Sequence, residues 1–256
     1  MLPIRDHNPS GRVPYITYSI IFVNCVIFFS YWGSLNDPKI INNLFTSWGL
    51  IPYRLTQGND PFTLLSSIFL HGGILHLAGN MLFLHIFGDN MEDQMGHFGF
   101  LIFYIFCGIG ANIIYYFTAP LSPIPLVGAS GAIAGVMGGY LLLYPRARVD
   151  ILFFILVFFK IISLRAWIVL SAWFLLQLAN GTVFTSGDSG VAYWAHIGGF
   201  AVGSILCLPT FVKLGSFNFW RDSSGHPPNP KADYETVKSA IPNVRKRLAK
   251  TKSPWN

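Results

Sequence analysis

LVGASGAIAG, at residues 126–135, carries a single hydroxyl, that of Ser130, in an otherwise apolar and glycine-rich run. The chain around this run has the composition of a membrane protein. Of its 256 residues, 52% are hydrophobic and only 11% are charged, whereas soluble domains carry about 25% charged residues. Most side chains therefore have no water to face, and the expected solvent is a lipid bilayer.

Six apolar stretches are long enough, or nearly long enough, to cross a bilayer, which takes about 20 residues of helix. They lie at approximately 14–33, 70–88, 98–118, 128–144, 166–180 and 191–212. A further apolar run, Val149–Phe159, is too short to cross and is bracketed by charged residues, so it is expected to lie at the interface or to form a hairpin. The sequence predicts an all-α polytopic membrane protein with six transmembrane helices.

Basic residues predict the orientation of the chain, because cytoplasmic segments of membrane proteins are enriched in Lys and Arg. With a cytoplasmic N-terminus, 15 of the 17 Lys and Arg residues lie inside, and only Lys39 and Arg54 lie outside. The tail is basic and interrupted by prolines, and is expected to be disordered and to rest on anionic lipid rather than to bind nucleic acid. The predicted segments are a cytoplasmic N-terminus at 1–13, a membrane domain at 14–212 with a long outer loop at 34–69, and the cytoplasmic tail at 213–256.

Polar side chains inside the predicted helices are few, and such residues are costly in lipid and usually functional. They are His71, His76, Asn80 and His85 in the second stretch, Ser130 in the fourth and His196 in the sixth. With the N-terminus inside, these three stretches all enter from the outer face. At a rise of 1.5 Å per residue, His76, Ser130 and His196 are predicted to share a level roughly 4–9 Å below the outer surface.

Small residues beside Ser130 and His196 predict that the fourth and sixth helices pack closely, since glycine and alanine let backbones approach in membranes. Such packing would bring the hydroxyl within hydrogen-bonding reach of the imidazole. Two other interpretations stay open: the polar pair only joins the helices, or Ser130 caps the start of its helix. The two stripes are Gly131, Gly135 and Gly139 in the fourth stretch and Ala195, Gly199 and Gly203 in the sixth.

A serine held by a histidine predicts hydrolytic chemistry, because the imidazole can act as general base and turn the hydroxyl into a nucleophile. The amide of Asn80, the ring of His76 and the backbone N–H of Ser130 are candidate donors to an oxyanion. The nearest acidic residues, Asp60 and Asp188, lie in predicted loops. The pair is therefore expected to work as a dyad, without a metal or another cofactor.

Three motifs of the chain resemble those of the rhomboid family of intramembrane serine proteases. They are HGGILHLAGN at 71–80, GASG at 128–131 and AHIGG at 195–199. The resemblance covers about residues 14–212, and it implies a Ser-His dyad that cuts transmembrane substrates near the outer membrane face.

The resemblance also implies a role for individual residues. Ser130 would be the nucleophile and His196 the general base, while His76 and Asn80 would line the oxyanion hole together with the backbone of Ser130. His71 matches a further family histidine with a structural or water-binding role. The supporting glycines are Gly128, Gly131 and Gly199.

Two positions depart from the family pattern. Many members carry a Trp-Arg pair before the second helix, where this chain has PFT at 61–63, which leaves open how the outer loop is anchored. Some members have a tyrosine four residues after the serine, stacked beneath the histidine. Here that residue is Ala134, so either the imidazole is less constrained or another aromatic, such as Tyr193 or Trp194, takes its place.

The predicted function is that of an intramembrane serine endopeptidase of a bacterial plasma membrane, with transmembrane protein substrates and the bilayer as partners. A catalytically inactive relative that binds or escorts membrane proteins is the alternative, and an organellar location stays open. A metalloprotease is not expected, because the sequence lacks H-E-x-x-H. A small transporter is disfavoured because the polar residues occupy only one half of the bilayer.

Overall fold

The computed structural model describes residues 2–155, 158–183 and 191–222. Short 3-10 turns follow the first and fourth helices, at Trp32–Ser34 and Ser67–Phe69. The helices are α1 (Tyr15–Tyr31), α2 (Pro38–Trp48), α3 (Pro52–Thr56), α4 (Thr63–Ser66), α5 (Ile74–Thr118), α6 (Ser130–Leu143), α7 (Ala166–Val183), α8 (Tyr193–Lys213) and α9 (Phe217–Asp222). The strands are β1 (Leu2–Asp6), β2 (Arg148–Ile155) and β3 (Phe158–Arg165).

Four of the described helices are long and apolar enough to cross a membrane: α1 with its following turn, α5, α7 and α8. The apolar α6 is shorter, at 14 residues. α5 runs for 45 residues and is broken at Gly96, whose φ of 72° and ψ of 164° are not helical and suit a residue without a Cβ. The second and third predicted helices are thus the two parts of α5. The prediction of a mostly helical, polytopic membrane protein is confirmed.

The all-α prediction is wrong in one respect, since the chain also forms a three-stranded antiparallel sheet with the order β1-β2-β3. β2 and β3 form a hairpin, which was one of the two expectations for the apolar run at Val149–Phe159. β1 then pairs with β2. The pairing of β1 depends on the tertiary fold, because the contacting residues Arg5 and Asp150 are 145 positions apart in the chain.

Asp150 fixes the N-terminal strand to the hairpin. Its carboxylate is only 2% exposed and accepts hydrogen bonds from Arg5 Nε at 2.6 Å, from His7 Nε2 at 2.8 Å and from the hydroxyl of Ser163. Burial alone would raise the pKa of Asp150, but hydrogen bonds from Ser163, Arg5 and His7 outweigh burial and hold the pKa below its ordinary value. β1 is therefore held by an ionised carboxylate at neutral pH.

Asp6, at the end of β1, makes the docking of this strand depend on pH. Its Oδ2 accepts a hydrogen bond from the hydroxyl of Tyr140 on α6 at 2.7 Å. Burial raises the pKa of Asp6 to about 7, and the neighbouring carboxylate of Asp89 adds to the rise while the Tyr140 hydrogen bond opposes it. An undocked strand would have the ordinary carboxyl pKa of 3.8. Undocking therefore releases a proton between about pH 4 and pH 7.

Docking of β1 is expected to weaken as the pH rises through this range, and to change no further through Asp6 above about pH 7. Amide hydrogen exchange of residues 2–6 checks this against Asp6→Asn, which keeps an acceptor for Tyr140 but cannot ionise. From about pH 5 to about pH 8, the unmodified chain is expected to lose protection relative to the variant. An equal change in both proteins would contradict the role of Asp6.

α6 and α8 pack through their small residues, as the two stripes predict. A Cβ at Gly199 would overlap the carbonyl oxygen of Gly131, and a Cβ at Gly203 would overlap that of Gly135. The two helix backbones are therefore in direct contact, which requires residues without side chains. This contact places the first turns of the two helices side by side.

The segment predicted as an outer loop, 34–69, is tied to the segment that precedes α6. Leu50 and Leu126 exchange both backbone hydrogen bonds, with N···O distances of 3.0 and 2.8 Å. The side-chain amide of Asn112 on α5 donates to the carbonyl of Leu64 at 2.8 Å and to the hydroxyl of Ser67 at 2.9 Å. These bonds explain how the loop is held in a chain that lacks the Trp-Arg pair.

The first residues of the predicted disordered tail are ordered. Phe219 of α9 is buried, and Trp220 Nε1 donates to the carbonyl of Leu142 at 2.9 Å. The side chain of Arg146 in turn donates to the carbonyl of Trp220 at 3.0 Å. The prediction of disorder from residue 213 onward is therefore wrong as far as Asp222, because aromatic rings bury themselves against the end of α6. Residues 223–256 of the predicted tail lie outside the described residues.

Candidate active site

The side chains of Ser130 and His196 are in direct contact. Ser130 Oγ lies 2.8 Å from His196 Nε2, which is a hydrogen-bonding distance. Ser130 is the first residue of α6, and His196 lies in the first turn of α8. A serine hydroxyl that donates to an imidazole nitrogen is the arrangement from which a general base can take the proton.

Ser130 does not cap its own helix. The cap position belongs to Ala129, and no side-chain hydrogen bond closes this helix end. The capping interpretation is therefore wrong, and the hydroxyl is directed to His196 instead. The first N–H groups of a helix have no partner within the helix and give its start a partial positive charge. The start of α6 thus combines a hydroxyl with an environment that favours negative charge.

A cleft of about 900 Å³ opens beside the serine and histidine. His76 and Asn80 of α5 line the same cleft, four residues apart and hence on one helix face. Asn80 is 8% exposed, and its Nδ2 has no hydrogen-bond partner among the described residues. A buried donor of this kind is normally paired, so Asn80 can donate to a group that enters the cleft.

His71 and Gly128 both lie next to the ring of His76. The rings of His71 and His76 meet edge to face, with centroids 5.2 Å apart. His71 is fully buried, and its backbone N–H and carbonyl both bond to the hydroxyl of Tyr31. Gly128 has a φ of 139°, and a Cβ there would come within 2.9 Å of the His76 ring. Only glycine fits such a position.

The remaining residues suggested by the sequence are placed as follows. Gly131 and Gly199 belong to the contact between α6 and α8. His85 stacks on Tyr18 of α1, with ring centroids 6.1 Å apart. Asp60 pairs with Arg54 at 2.5 Å. Asp188 lies outside the described residues.

Two residues of α7 that sequence reasoning missed also contact His196. Gln177 Oε1 lies 2.9 Å from His196 Nδ1, and the ring centroid of Trp173 lies 5.8 Å from that of the imidazole. Trp173 is thus an aromatic neighbour of the histidine, where the sequence suggested Tyr193 or Trp194. The signal that could have identified Gln177 is an amide side chain within an otherwise apolar stretch.

Comparison of the sequence with known proteins identifies the family of the chain. The Rhomboid domain model matches residues 58–213, which is more than half of the chain. The chain belongs to the rhomboid family. This rhomboid is an integral, multi-pass membrane protein, since the family match coincides with several long apolar helices.

Named relatives of this rhomboid come from plants, bacteria and yeast. RHOMBOID-like protein 4 of Arabidopsis thaliana is 32% identical over 72% of this chain and 44% of its own length. Rhomboid protease GluP of Bacillus subtilis is 31% identical over 80% of this chain and 36% of its own length. Rhomboid protein 1, mitochondrial, of Saccharomyces cerevisiae is 30% identical over 73% of this chain and 51% of its own length. This rhomboid therefore matches only about a third to a half of the length of these relatives.

Proposed function

We propose that this rhomboid is an intramembrane serine endopeptidase in which Ser130 is the nucleophile and His196 the general base. The single observation that carries the proposal is the 2.8 Å contact between Ser130 Oγ and His196 Nε2. That the relatives include proteins named proteases, among them GluP, supports the same class of activity.

The chemistry follows from this contact. His196 Nε2 takes the proton of the Ser130 hydroxyl as Oγ attacks the carbonyl carbon of the scissile peptide bond. The same proton passes to the nitrogen of the leaving amine when the C–N bond breaks, which leaves an acyl group on Ser130. Water then attacks the carbonyl carbon of this ester while His196 takes a proton from it. The bond from that carbon to Oγ breaks, His196 returns the proton to Oγ, and the carboxyl product leaves. No metal or cofactor is needed for any of these steps.

The negative oxygen of the tetrahedral intermediate needs donors that are already in place. We assign this role to Asn80 Nδ2, to the ring of His76 and to the backbone N–H of Ser130. In support, His76 and Asn80 line the cleft beside the serine, and Asn80 Nδ2 has no other partner among the described residues. The N–H of Ser130 belongs to the positive start of α6.

The proposed membrane arrangement has six crossings and both termini in the cytoplasm. The 45 residues of α5 amount to about 68 Å of helix at 1.5 Å per residue, roughly twice the 30 Å of a hydrocarbon core, so the two parts on either side of Gly96 are assigned to two crossings. With α1, α6, α7 and α8 this makes six, within the membrane domain proposed at 14–212. Basic residues lie at the end of the helix bundle that carries the sheet, and the positive-inside rule assigns this end to the cytoplasm. These basic residues are Arg5, Arg12, Arg146, Arg148 and Arg165.

The cleft then lies at the outer end of the bundle, and the proposed substrates are transmembrane proteins cut near the outer membrane face. A bacterial plasma membrane is the proposed location. Large apolar side chains such as Phe22, Phe106 and Leu175 are exposed around the helices, and this surface suits contact with lipid.

A fluorophosphonate probe tests the proposed dyad directly, because it labels only a serine whose hydroxyl is activated. The purified chain is expected to be labelled at Ser130, as located by mass spectrometry of the labelled peptide. His196→Ala is expected to lower the labelling rate by about 100-fold or more, the usual range for loss of a general base. His85→Ala, which removes a histidine that stacks on Tyr18 instead, is the matched control and is expected to label normally. Normal labelling of His196→Ala would contradict the dyad.

A further inference from the structure

The imidazole of His196 is contacted by two side chains of α7 that stand one helical turn apart. Trp173 lies against the ring, with a centroid distance of 5.8 Å, and Gln177 Oε1 lies 2.9 Å from Nδ1. Residues four apart share a helix face, so α7 presents both groups to the same histidine. Among the described residues, the hydrogen-bond partners of this ring are Ser130 and Gln177.

The contact with Gln177 suits one of the two neutral tautomers of the histidine. A neutral imidazole has one N–H donor and one bare nitrogen acceptor. If Nε2 is to accept the proton of Ser130, the ring hydrogen must sit on Nδ1, and it then needs an acceptor. The side-chain carbonyl oxygen of Gln177 is that acceptor at 2.9 Å. In triads of the Ser-His-Asp type, a carboxylate occupies the corresponding position.

We propose that Gln177 is the positioning residue of this rhomboid: it holds His196 in the tautomer and orientation that leave Nε2 free to act as base. The inference rests on the proposed function of Ser130 and His196 and adds a third member to it. Because Gln177 belongs to α7, the competence of the base depends on where this helix lies.

The packing of α7 supports this role. Its buried residues form a single stripe, and Gln177, 7% exposed, is the polar side chain within it. Leu175 and Leu176, on either side of that stripe, are more than half exposed. An amide buried in an apolar helix is costly unless it is hydrogen-bonded, so the bond to His196 accounts for its presence. The buried stripe consists of Ala166, Leu170, Gln177 and Gly181.

Trp173 is an aromatic contact of the histidine. The family position four residues after the serine is Ala134 here, whose side chain offers no ring. Trp173 lies against both His196 and Phe200 of α8, with centroid distances of 5.8 and 6.3 Å. One face of α7 thus provides both an aromatic contact and the hydrogen-bond acceptor for the base.

The test compares two substitutions of Gln177 that differ in whether they keep an acceptor. Gln177→Met has a similar length and no carbonyl oxygen, and it is expected to lower kcat for a transmembrane substrate by about 10- to 100-fold, with KM unchanged. This range corresponds to leaving one buried polar group unpaired. Gln177→Glu keeps an oxygen acceptor whether it is ionised or protonated, and it is expected to retain kcat within about threefold.

The matched control is Leu176→Met, which introduces methionine at the neighbouring, exposed position of α7. It is expected to have the kcat of the unmodified chain. Equal kcat in Gln177→Met and the unmodified chain would overturn the positioning role and leave the dyad intact. A similar fall in both Gln177 variants would also overturn it, because Gln177→Glu keeps both the shape and an oxygen acceptor, so the acceptor would not be what the activity depends on. Absence of fluorophosphonate labelling at Ser130 in the unmodified chain would instead overturn the proposed function.

Discussion

Ser130→Ala is expected to abolish cleavage of a transmembrane protein, lowering kcat/KM by about 10⁴-fold or more, the scale of loss when a serine nucleophile is removed. The physical reason is that, in the part of the chain that the structure describes, Ser130 is the hydroxyl group hydrogen-bonded to His196 Nε2, at 2.8 Å. The measurement is the rate of product formation from a single-span substrate reconstituted with the purified chain in liposomes. The fold should survive, because the change removes one hydrogen bond at the edge of an open cleft.

Ser204→Ala is the control for this experiment. Ser204 also lies on one of the two packed helices, α8, but its hydroxyl donates to the carbonyl of Phe200 at 2.9 Å and takes no part in the cleft. This variant is expected to cleave at the rate of the unmodified chain. Cleavage by Ser130→Ala at the rate of Ser204→Ala would overturn the assignment of Ser130 as nucleophile. Absence of cleavage by the unmodified chain would instead favour the alternative of a catalytically inactive rhomboid.

The helices were the part of the fold that sequence could predict well, because a long apolar run is a strong and local signal. The stretches predicted at 166–180 and 191–212 correspond to α7 and α8, Ala166–Val183 and Tyr193–Lys213. Only part of the sheet could be predicted from the sequence. The hairpin of β2 and β3 pairs segments that are close in the chain, whereas β1 pairs with the distant β2, which the fold brings to its side.

The candidate site shows the same division between local and tertiary information. Ser130, His196, His76 and Asn80 were found because each is a polar group in an apolar helix. Gln177 meets the same criterion and was missed because no motif accompanies it. Its partner could be known only once α7 and α8 were packed together, since hydropathy does not say which face of a helix meets which neighbour.

Gly203→Ala is the second change with a large expected effect, and it acts through the packing of α6 and α8. The added Cβ would overlap the backbone carbonyl of Gly135, and a backbone cannot rotate away as a side chain can. Overpacking of a well-packed interior costs about 1–3 kcal/mol, and overlap with backbone places this change at the upper end, about 3 kcal/mol. Fluorophosphonate labelling should fall with stability, because these two helices carry Ser130 and His196.

Two further glycines give this prediction its controls. Gly139 lies on α6, in the same small-residue stripe as Gly135. A Cβ at Gly139 would meet the side-chain ends of Met91 and Phe103, at 2.7 and 3.0 Å. Such side-chain ends can move, so Gly139→Ala is expected to cost less than Gly203→Ala. Gly99→Ala, where the new Cβ makes an ordinary 3.4 Å contact with Met95, is expected to leave stability unchanged or slightly raised, because alanine favours helix.

Thermal unfolding of the three variants in detergent micelles measures the series. The expected order of destabilisation is Gly203→Ala, then Gly139→Ala, then Gly99→Ala. Equal midpoints for Gly203→Ala and Gly99→Ala would mean that the backbones of α6 and α8 are farther apart than direct contact. A wider separation would also carry Ser130 away from His196, because Ser130 is the first residue of α6 and His196 lies in the first turn of α8. The stability of a glycine variant therefore bears on the same 2.8 Å distance as the chemistry does.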